Sequence, residues 1–235
     1  MPGPIIAIDG PSGSGKSSTS RGVAQRLGLR YVDTGAMYRA MTWWMLTQGV
    51  DVDDPAAIAE RCGEPVIELG VDPVAPMVRV DGRDVSADIR EASVADAVSL
   101  VAAVPQVRER LVRSQRDMVD EALASGSGVV MEGRDIGTVV LPEADLKVYL
   151  TADVEARAAR RAREEADRSA RTDADAAQAH VDAAQANLQS RDALDSTRAV
   201  SPLLQAADAV PIDGTHLLLD EVIDAVIQAL PAGLR

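Results

Sequence analysis

The residues with the clearest chemistry lie between Gly10 and Ser17, where the sequence reads G-P-S-G-S-G-K-S. Its glycines let successive backbone N–H groups approach phosphate oxygens closely, because no Cβ intervenes. Lys16 is placed to reach the β- and γ-phosphates, and the Ser17 hydroxyl can ligate Mg²⁺. The pattern G-x-x-x-x-G-K-S is that of a phosphate-binding P-loop, and it predicts that the chain binds a nucleoside triphosphate.

The residues on either side of this loop fit the strand and the helix that it requires. Ile5–Ile8 is a short apolar run rich in β-branched residues, which is typical of a buried parallel strand. Ser17–Leu27 contains no proline and is followed by Gly28, so it predicts a helix that ends at this glycine. A glycine-rich turn that matched the pattern by chance would not need these neighbours.

Length and composition favour a single globular enzyme. The chain has 235 residues, 46% of them hydrophobic, which suits one domain with insertions. Its formal net charge of −13 argues against a general nucleic-acid-binding surface. No apolar run approaches the ~18 residues of a membrane span. One cysteine and two histidines allow no internal disulfide and make a poor metal site. We therefore expect a cytoplasmic enzyme that binds neither nucleic acid nor membrane.

Five short apolar runs, separated by helical segments, predict an α/β fold. They are Ile5–Ile8, Leu29–Asp33, Ser127–Glu132, Leu146–Leu150 and Ala209–Asp213. Ligands of open parallel sheets bind beyond the carboxyl ends of the strands. The polar, glycine-rich loop Gly133–Thr138, which follows the third run, is therefore expected at the binding site.

Residues 51–90 interrupt this alternation. They contain a short helix through Arg61, followed by strand-like runs on both sides of the turn Asp81-Gly82-Arg83. The pattern indicates a small antiparallel insertion.

Residues 153–200 form a second interruption, rich in arginine and alanine. Arg157, Arg160 and Arg161 have the spacing of one helical face, and residues 174–188 are strongly helical and weakly apolar. Spacing alone leaves two interpretations open, a closing lid or a solvated charged hairpin.

The segment Gln106–Leu123 predicts an amphipathic helix, with Val107 and Leu111 on its apolar side. A solvated helix face is expected for most of its arginines, which are Arg108, Arg110, Arg113 and Arg116.

Among proteins with such a loop, the sequence favours a small-molecule phosphotransferase. A switch GTPase would carry an Asn-Lys-x-Asp motif, yet neither Lys16 nor Lys147 follows an asparagine. A phosphotransferase needs arginines that hold an anionic acceptor and exclude water, so that ATP is not hydrolysed. Arg39, Arg134 and Arg198 each stand beside a polar loop or the lid region and supply these parts.

Four stretches together resemble the bacterial cytidylate (CMP) kinase family in its long form. They are Ile8–Ser17, Asp33–Arg39, Gly133–Thr138 and Asp195–Pro202, which occur in order over nearly the whole chain. The resemblance implies an α/β P-loop nucleoside monophosphate kinase fold, with a five-stranded parallel sheet flanked by helices, an inserted acceptor-binding subdomain and a helical lid. It also implies the reaction ATP + (d)CMP ⇌ ADP + (d)CDP with Mg²⁺. The resemblance further implies that the enzyme is a monomer.

The resemblance divides residues 1–235 as one kinase unit. The core comprises about 1–35, 91–152 and 200–235, the acceptor-binding region with its antiparallel insertion about 36–90, and the lid about 153–199.

The resemblance also implies roles for individual residues. Cytosine would be surrounded by Thr34, Ser99, Arg108 and Asp135; Arg39 and Arg134 would hold the acceptor phosphate; Arg191 and Asp195 would face the ribose; Arg198 would lie between acceptor and phosphoryl group. ATP would be held by Gly10, Pro11, Ser12, Gly13, Ser14, Gly15, Lys16, Ser17, Ser18, Arg157, Arg160 and Arg161. Lys16, Arg134 and Arg198 would be catalytic, since transfer to an anionic phosphate needs alignment and charge neutralisation without a general base.

Two residues depart from the family pattern. Glu132, expected near Mg²⁺ beside Ser17, stands where aspartate is common, so its carboxylate reaches about one methylene further, and Leu194 replaces a common arginine. Two alternatives stay open from the sequence: a kinase for another small acceptor such as UMP, dTMP or shikimate, and a nucleotide-binding regulatory module without turnover.

Overall fold

The computed structural model describes residues 3–160, 185–186, 192–197 and 202–234. Within them the strands are β1 (Ile5–Asp9), β2 (Arg30–Asp33), β3 (Ile67–Leu69), β4 (Val78–Val80), β5 (Arg83–Asp84), β6 (Val129–Gly133), β7 (Leu146–Thr151) and β8 (Val210–Asp213). The α-helices are α1 (Lys16–Leu27), α2 (Thr34–Thr47), α3 (Pro55–Arg61), α4 (Ala92–Ala103), α5 (Pro105–Ala124) and α6 (Leu219–Ala229). There are also two 3₁₀ turns, Asp88–Arg90 and Ala232–Leu234, and the π-helical turn Ile136–Val140.

Five strands form one parallel sheet in the order β2-β6-β1-β7-β8. Strand β1 lies in the centre and pairs with β6 on one side and with β7 on the other. The crossover connections carry helices, as parallel pairing requires. The α/β fold with a five-stranded parallel sheet, expected from the sequence, is confirmed.

The two faces of this sheet are covered by different helices. Ile6, Ile8 and Val148 pack in one cluster with side chains of α1 and α6. The next residues along the strands, such as Ala7 and Met131, pack on the other side with α5 and the π-helical turn. This alternation follows from the two-residue period of a strand, and coverage of both faces explains why the strands are apolar almost throughout.

A third hydrophobic cluster belongs to α2 and the insertion. Strands β3, β4 and β5 form a separate antiparallel sheet, as the sequence predicts. The turn between β4 and β5 has positive φ at both central residues, 51° at Asp81 and 79° at Gly82, which is the two-residue hairpin geometry that matches strand twist. The cluster continues through α4 to Leu111 in α5, well beyond residue 90.

The expectation that most arginines of α5 form a solvated face holds for two of the four, Arg113 and Arg116, which are exposed. Arg108 is buried, Arg110 donates to the backbone carbonyls of Cys62 and Pro65, and Arg116 donates to those of Val139 and Val140. Arg113 alone of the four pairs with Glu109 in an exposed i,i+4 ion pair. Helical spacing cannot reveal these contacts, because each long guanidinium side chain reaches an element that lies elsewhere in the sequence.

Most of the expected lid lies outside the described residues, including the helix predicted over 174–188, of which only 185–186 are described. Residues 154–160 and 192–197 are helical. Within the described ranges, no helix combines the length and the apolarity that a membrane crossing demands.

The packing of α1 on α6 gives a stability prediction, since α1 carries Lys16 and Ser17. A Cβ on Gly22 would lie 2.2 Å from Cδ1 and 3.0 Å from Cγ1 of Ile223 in α6. We expect Gly22→Ala to lower the free energy of unfolding by about 1–2 kcal/mol, because overpacking outweighs the gain in helix propensity.

Ile223→Val removes Cδ1 and serves as the partner variant. In that background Gly22→Ala should cost less than in the wild type, as measured by urea unfolding of all four proteins. Equal costs in both backgrounds would show that the helices do not meet at this point.

Candidate active site

The phosphate-binding loop has the backbone that its glycines predict. The φ angles are 149° at Gly10, 74° at Gly13 and 92° at Gly15, and α1 begins directly after Gly15. A Cβ on Gly10 would lie 2.1 Å from the carbonyl oxygen of Leu150 in β7, so this position also needs glycine for space. The N–H groups at the start of α1 have no intrahelical partners and create a positive local field, which suits an anion.

Lys16 folds back over this loop. Its Nζ donates to the carbonyl oxygen of Pro11 at 2.7 Å, and the side chain is largely buried. Burial, followed by repulsion from Arg134, lowers the pKa of Lys16 to about 7. A bound phosphate would favour the charged ammonium and raise this pKa, so the loop without ligand is short of negative charge.

Glu132, near the end of β6, meets Ser17 and Tyr31. The Ser17 hydroxyl donates to Glu132 Oε2 at 3.0 Å, and the Tyr31 hydroxyl donates to Oε1. Burial, followed by the nearby charge of Asp33, raises the pKa of Glu132 to about 7, and burial likewise raises the pKa of Tyr31. The longer side chain of glutamate spans the gap between β6 and the start of α1.

Asp9 ends strand β1 immediately before the loop. Its Oδ1 accepts the backbone N–H of Ile136 at 2.8 Å and its Oδ2 that of Gly137 at 2.7 Å. Burial raises the pKa of Asp9 to about 6, although these two N–H groups stabilise the charged form. The strand that leads into the phosphate-binding loop is thus tied to the residues that follow Asp135.

A buried ion pair lies at the far end of the site. Arg108 Nη2 pairs with Asp135 Oδ2, Arg108 Nη1 reaches the Ala102 carbonyl at 3.5 Å, and the guanidinium carbon lies 5.5 Å from the ring centroid of Tyr38. Ser99 on α4 is also buried and lines the same space. Arg108 Nε is buried without a hydrogen-bond partner among the described residues, so this pair still has a donor to offer.

Asp33 and Thr34 organise the start of α2. Asp33 Oδ1 caps the helix by accepting the N–H of Ala36, and Oδ2 pairs with Arg39 at 2.8 Å. The Thr34 hydroxyl donates to the backbone carbonyl of Glu132 at 2.7 Å. Within the described part of the chain, Arg39 Nε is buried without a partner, so this guanidinium can still donate a hydrogen bond to an anion.

Arg134 connects the loop to the helical residues 192–197. Its Nη1 donates to the Gly10 carbonyl at 3.0 Å, and its Nε pairs with Asp195 Oδ2 at 3.1 Å. Asp192 Oδ2 pairs with Arg157 at 2.5 Å, and its Oδ1 accepts the N–H of Ser12 at 3.2 Å. Asp192 Oδ1 also lies 3.7 Å from Arg134 Nη1, so Asp192 contacts the phosphate-binding loop and both Arg134 and Arg157.

Arg157 and Arg160, on the helical residues 154–160, reach the same loop from outside. Arg157 Nη1 donates to the Ser12 carbonyl at 3.0 Å and Arg160 Nη1 to the Ser14 carbonyl at 3.3 Å, while Arg160 Nη2 donates to the carbonyl of Gly214. Gly214 follows β8, so Arg160 links the loop to the last strand.

Most of these groups line one cleft of about 500 Å³, but Asp9, Asp192, Arg157 and Arg160 do not. Of the residues that the sequence assigns to a site, it is lined by Ser12, Gly13, Gly15, Lys16, Ser17, Ser18, Thr34, Arg39, Ser99, Arg108, Glu132, Arg134, Asp135 and Asp195. Gly10, Pro11 and Ser14 belong to the loop without lining the cleft. Arg161, Arg191 and Arg198 lie outside the described residues. Leu194 is exposed and does not line the cleft.

Sequence reasoning assigned no site role to several residues found here. Tyr31, Tyr38 and Arg90 line the cleft, while Asp9 and Asp192 hold its backbone and its arginines. For Tyr31 the signal was its place near the carboxyl end of a predicted strand, where ligands of parallel sheets bind. For Asp9 it was a charged residue that ends an otherwise apolar strand.

The residues near Ser17 fit a magnesium ion. Mg²⁺ prefers oxygen ligands and keeps several waters, so one hydroxyl and one carboxylate beside bound phosphates suffice. Ser17 and Glu132 offer such oxygens 3.0 Å apart. Burial raises the pKa of Glu132, so a cation beside it would stabilise the charged carboxylate. Among the described residues, no group of three or more His, Cys, Asp or Glu side chains is arranged to hold a metal without a ligand's help.

Comparisons with known proteins agree on one family. The family model for cytidylate kinase matches residues 6–232. A cytidylate kinase from Streptomyces avermitilis is 52% identical over 227 residues, covering 97% of this chain and 92% of that protein. One from Nocardia farcinica is 54% identical over 220 residues, covering 94% and 90%, and one from Pelotomaculum thermopropionicum is 45% identical over 233 residues, covering 99% and 98%.

Similarity to solved structures is weaker. An unliganded sugar kinase from Janibacter sp. HTCC2649 has a TM-score of 0.46 at 16% identity, covering 97% of this chain and 94% of that one. The assignment to a family therefore stands on sequence.

The buried carboxyl of Glu132 gives a pH prediction for the protein without nucleotide or Mg²⁺. Its pKa is about 7 in the folded protein against an ordinary value of 4.5, so between these values the folded protein retains a proton that the unfolded chain has released. The free energy of unfolding should therefore fall as the pH rises from 4.5 to 7, by about 1–3 kcal/mol from this group.

Glu132→Gln should make that decrease smaller, as measured by urea unfolding in EDTA at pH 5 and pH 7.5. Lys16, whose pKa is lowered to about 7, begins to titrate near the upper pH and changes stability in the opposite direction, so it reduces the decrease without reversing its cause. An unchanged pH dependence in Glu132→Gln would contradict the raised pKa.

Proposed function

The chain belongs to the cytidylate kinase family, and we propose that its cleft binds CMP or dCMP as acceptor beside the triphosphate of ATP, and transfers the γ-phosphoryl group in line to give CDP or dCDP. The chain is thus a nucleoside monophosphate kinase. One observation carries the proposal: the phosphate-binding loop and the buried Arg108–Asp135 pair face a single cleft of about 500 Å³.

The Arg108–Asp135 pair suits the edge of cytosine. The Asp135 carboxylate can accept a hydrogen bond from the exocyclic amino group, and the guanidinium of Arg108 can donate to a ring nitrogen or to the carbonyl oxygen. Uracil has a carbonyl in place of the amino group, so at this position the base has no hydrogen to donate to the Asp135 carboxylate. Ser99 and Thr34 add hydroxyls at the same end of the cleft.

Arg39 and Arg134 suit the acceptor phosphate. Both are paired with carboxylates in the structure, Arg39 with Asp33 and Arg134 with Asp195, and both line the cleft. A phosphate between them would accept charge-assisted hydrogen bonds, including one from the unpartnered Nε of Arg39. Arg198, expected between acceptor and phosphoryl group, would complete this set.

Transfer then needs alignment, charge neutralisation and exclusion of water. The acceptor phosphate is already an anionic nucleophile, so no residue has to remove a proton from it. Lys16 would neutralise charge on the transferring group, and the loop N–H groups would hold the β-phosphate. Ser17 and Glu132 would hold Mg²⁺, which supplies further positive charge to the phosphate oxygens. Arg157 and Arg160 already contact the loop and would close over ATP.

We propose three further properties together with this function. They are the division into core, acceptor-binding region and lid, a monomeric state, and a cytoplasmic location. The buried cluster of α2, the insertion and α4 supports a distinct acceptor-binding region.

Turnover with a panel of acceptors tests the proposed function. ADP release from ATP and Mg²⁺ should be fast with CMP and dCMP, slower with UMP, and negligible with dTMP, AMP, GMP and shikimate. Lys16→Ala, which removes the charge at the transferring phosphate, should lower kcat far more than it raises KM for CMP.

Fast turnover with another acceptor and none with CMP or dCMP would refute the acceptor assignment while leaving a kinase. No ADP release with any acceptor, from protein that binds ATP, would indicate the regulatory alternative.

Asp135→Ala tests base recognition. Because the carboxylate that accepts the amino group is lost, the preference for CMP over UMP in kcat/KM should fall by about tenfold or more. The variant also leaves Arg108 without its partner, so folding is checked by thermal unfolding.

Glu109→Ala, which breaks the exposed pair with Arg113 on the same helix as Arg108, is the matched control and should leave the preference unchanged. An Asp135→Ala protein that folds and still discriminates like the wild type would exclude Asp135 as a base-reading residue.

A further inference from the structure

Asp9 makes an arrangement that the proposed reaction does not by itself require. It ends β1, is 5% exposed, and gives one carboxylate oxygen to each of two backbone N–H groups, those of Ile136 and Gly137. No ion pair to Asp9 occurs within the described ranges of the chain. Its carboxylate is therefore committed to the backbone of another element.

The two N–H groups belong to the first two residues of the π-helical turn Ile136–Val140. The opening N–H groups of a helical turn have no partner within it, and the side chain of an aspartate just before the turn commonly accepts that of the second or third residue. Asp135 stands in that preceding position, with φ −144° and ψ 26°, yet its side chain makes no capping hydrogen bond.

The reason is that the Asp135 carboxylate pairs with Arg108 instead. Asp9, from β1, accepts the N–H of Gly137 that Asp135 could otherwise accept, and that of Ile136 as well. This substitution leaves the Asp135 carboxylate in the cleft, where it can meet a base.

Asp9 is also the residue before Gly10, so the same short stretch fixes both loops. Arg134, which precedes Asp135, donates to the carbonyl of Gly10 at 3.0 Å. Three hydrogen bonds to Asp9 and Gly10 thus hold residues 134–137 in register with the phosphate-binding loop.

We propose that Asp9 is a positioning residue for acceptor recognition: by capping Ile136 and Gly137 in place of Asp135, it frees Asp135 for the base and sets the distance between the acceptor and the phosphate-binding loop. The proposal rests on the proposed function, in that the acceptor is read by Asp135.

Asp9→Asn is the informative change. Its amide keeps one oxygen acceptor but turns an NH₂ group towards the other backbone N–H, so one hydrogen bond is lost and two donors face each other. We expect KM for CMP to rise about tenfold and the preference for CMP over UMP to fall, while KM for ATP changes less than about twofold. Backbone amide exchange at Ile136 and Gly137, followed by NMR in the nucleotide-free protein, should become about tenfold faster or more.

Asp145→Asn is the matched control. Asp145 Oδ2 accepts the backbone N–H of Ile5, which begins β1, whereas Asp9 ends this strand. It should change neither the acceptor preference nor the exchange of the two amides. If Asp9→Asn does not fold, Asp9→Glu, which keeps both oxygens but displaces them by one methylene, takes its place with the same expected pattern.

A substitution of Asp9 that lowers kcat equally for CMP and UMP, with both KM values and the two exchange rates unchanged, would overturn the proposal and leave Asp9 a structural residue. If the wild type does not phosphorylate CMP, the proposed function fails. The exchange rates still decide whether Asp9 holds the loop, because they are measured without any acceptor.

Discussion

The pairing of β1 with β6 is the contact on which the rest of the site depends. Its register sets Ile8 opposite Glu132 and Asp9 opposite Gly133, so the two chains leave the sheet side by side. One continues into the phosphate-binding loop and the other into Arg134 and Asp135. Because a parallel register is fixed by the buried faces of both strands, the phosphate-binding loop and the loop with Arg134 and Asp135 take their spacing from the core.

Charges in the cleft are balanced within the protein. Arginines that suit phosphates are paired with aspartates, Arg39 with Asp33 and Arg134 with Asp195, while Lys16 and Glu132 both have pKa values shifted towards neutrality by burial. Buried pairs of this kind add little to stability, since desolvation offsets most of the attraction. Under the proposed function, an arriving phosphate would replace a carboxylate as the partner of each arginine, so no arginine would be left unpaired.

The sequence was most informative where structure is local. The glycines of the phosphate-binding loop, the five strands and the Asp81-Gly82 turn depend on neighbouring residues and could be predicted with their approximate bounds. Contacts between distant segments could not. The burial of Arg108 depends on Asp135, 27 residues away, and the cap that Asp9 provides depends on residues 127 and 128 positions later. A helical period or a loop motif contains no information about such partners, so most arginines of α5 were expected on a solvated face.

The hydrophobic cluster of α2, the insertion and α4 has a consequence for how such a chain can change over generations. Within the described residues, this cluster and the one beneath α5 share only partly buried side chains, Leu69 and Met118. Substitutions in the insertion can therefore accumulate, and its hairpin can lengthen or shorten, without disturbing the strands that carry the phosphate-binding loop. Selection could therefore change the region of α2 and the insertion while the packing beneath the phosphate-binding loop stays as it is.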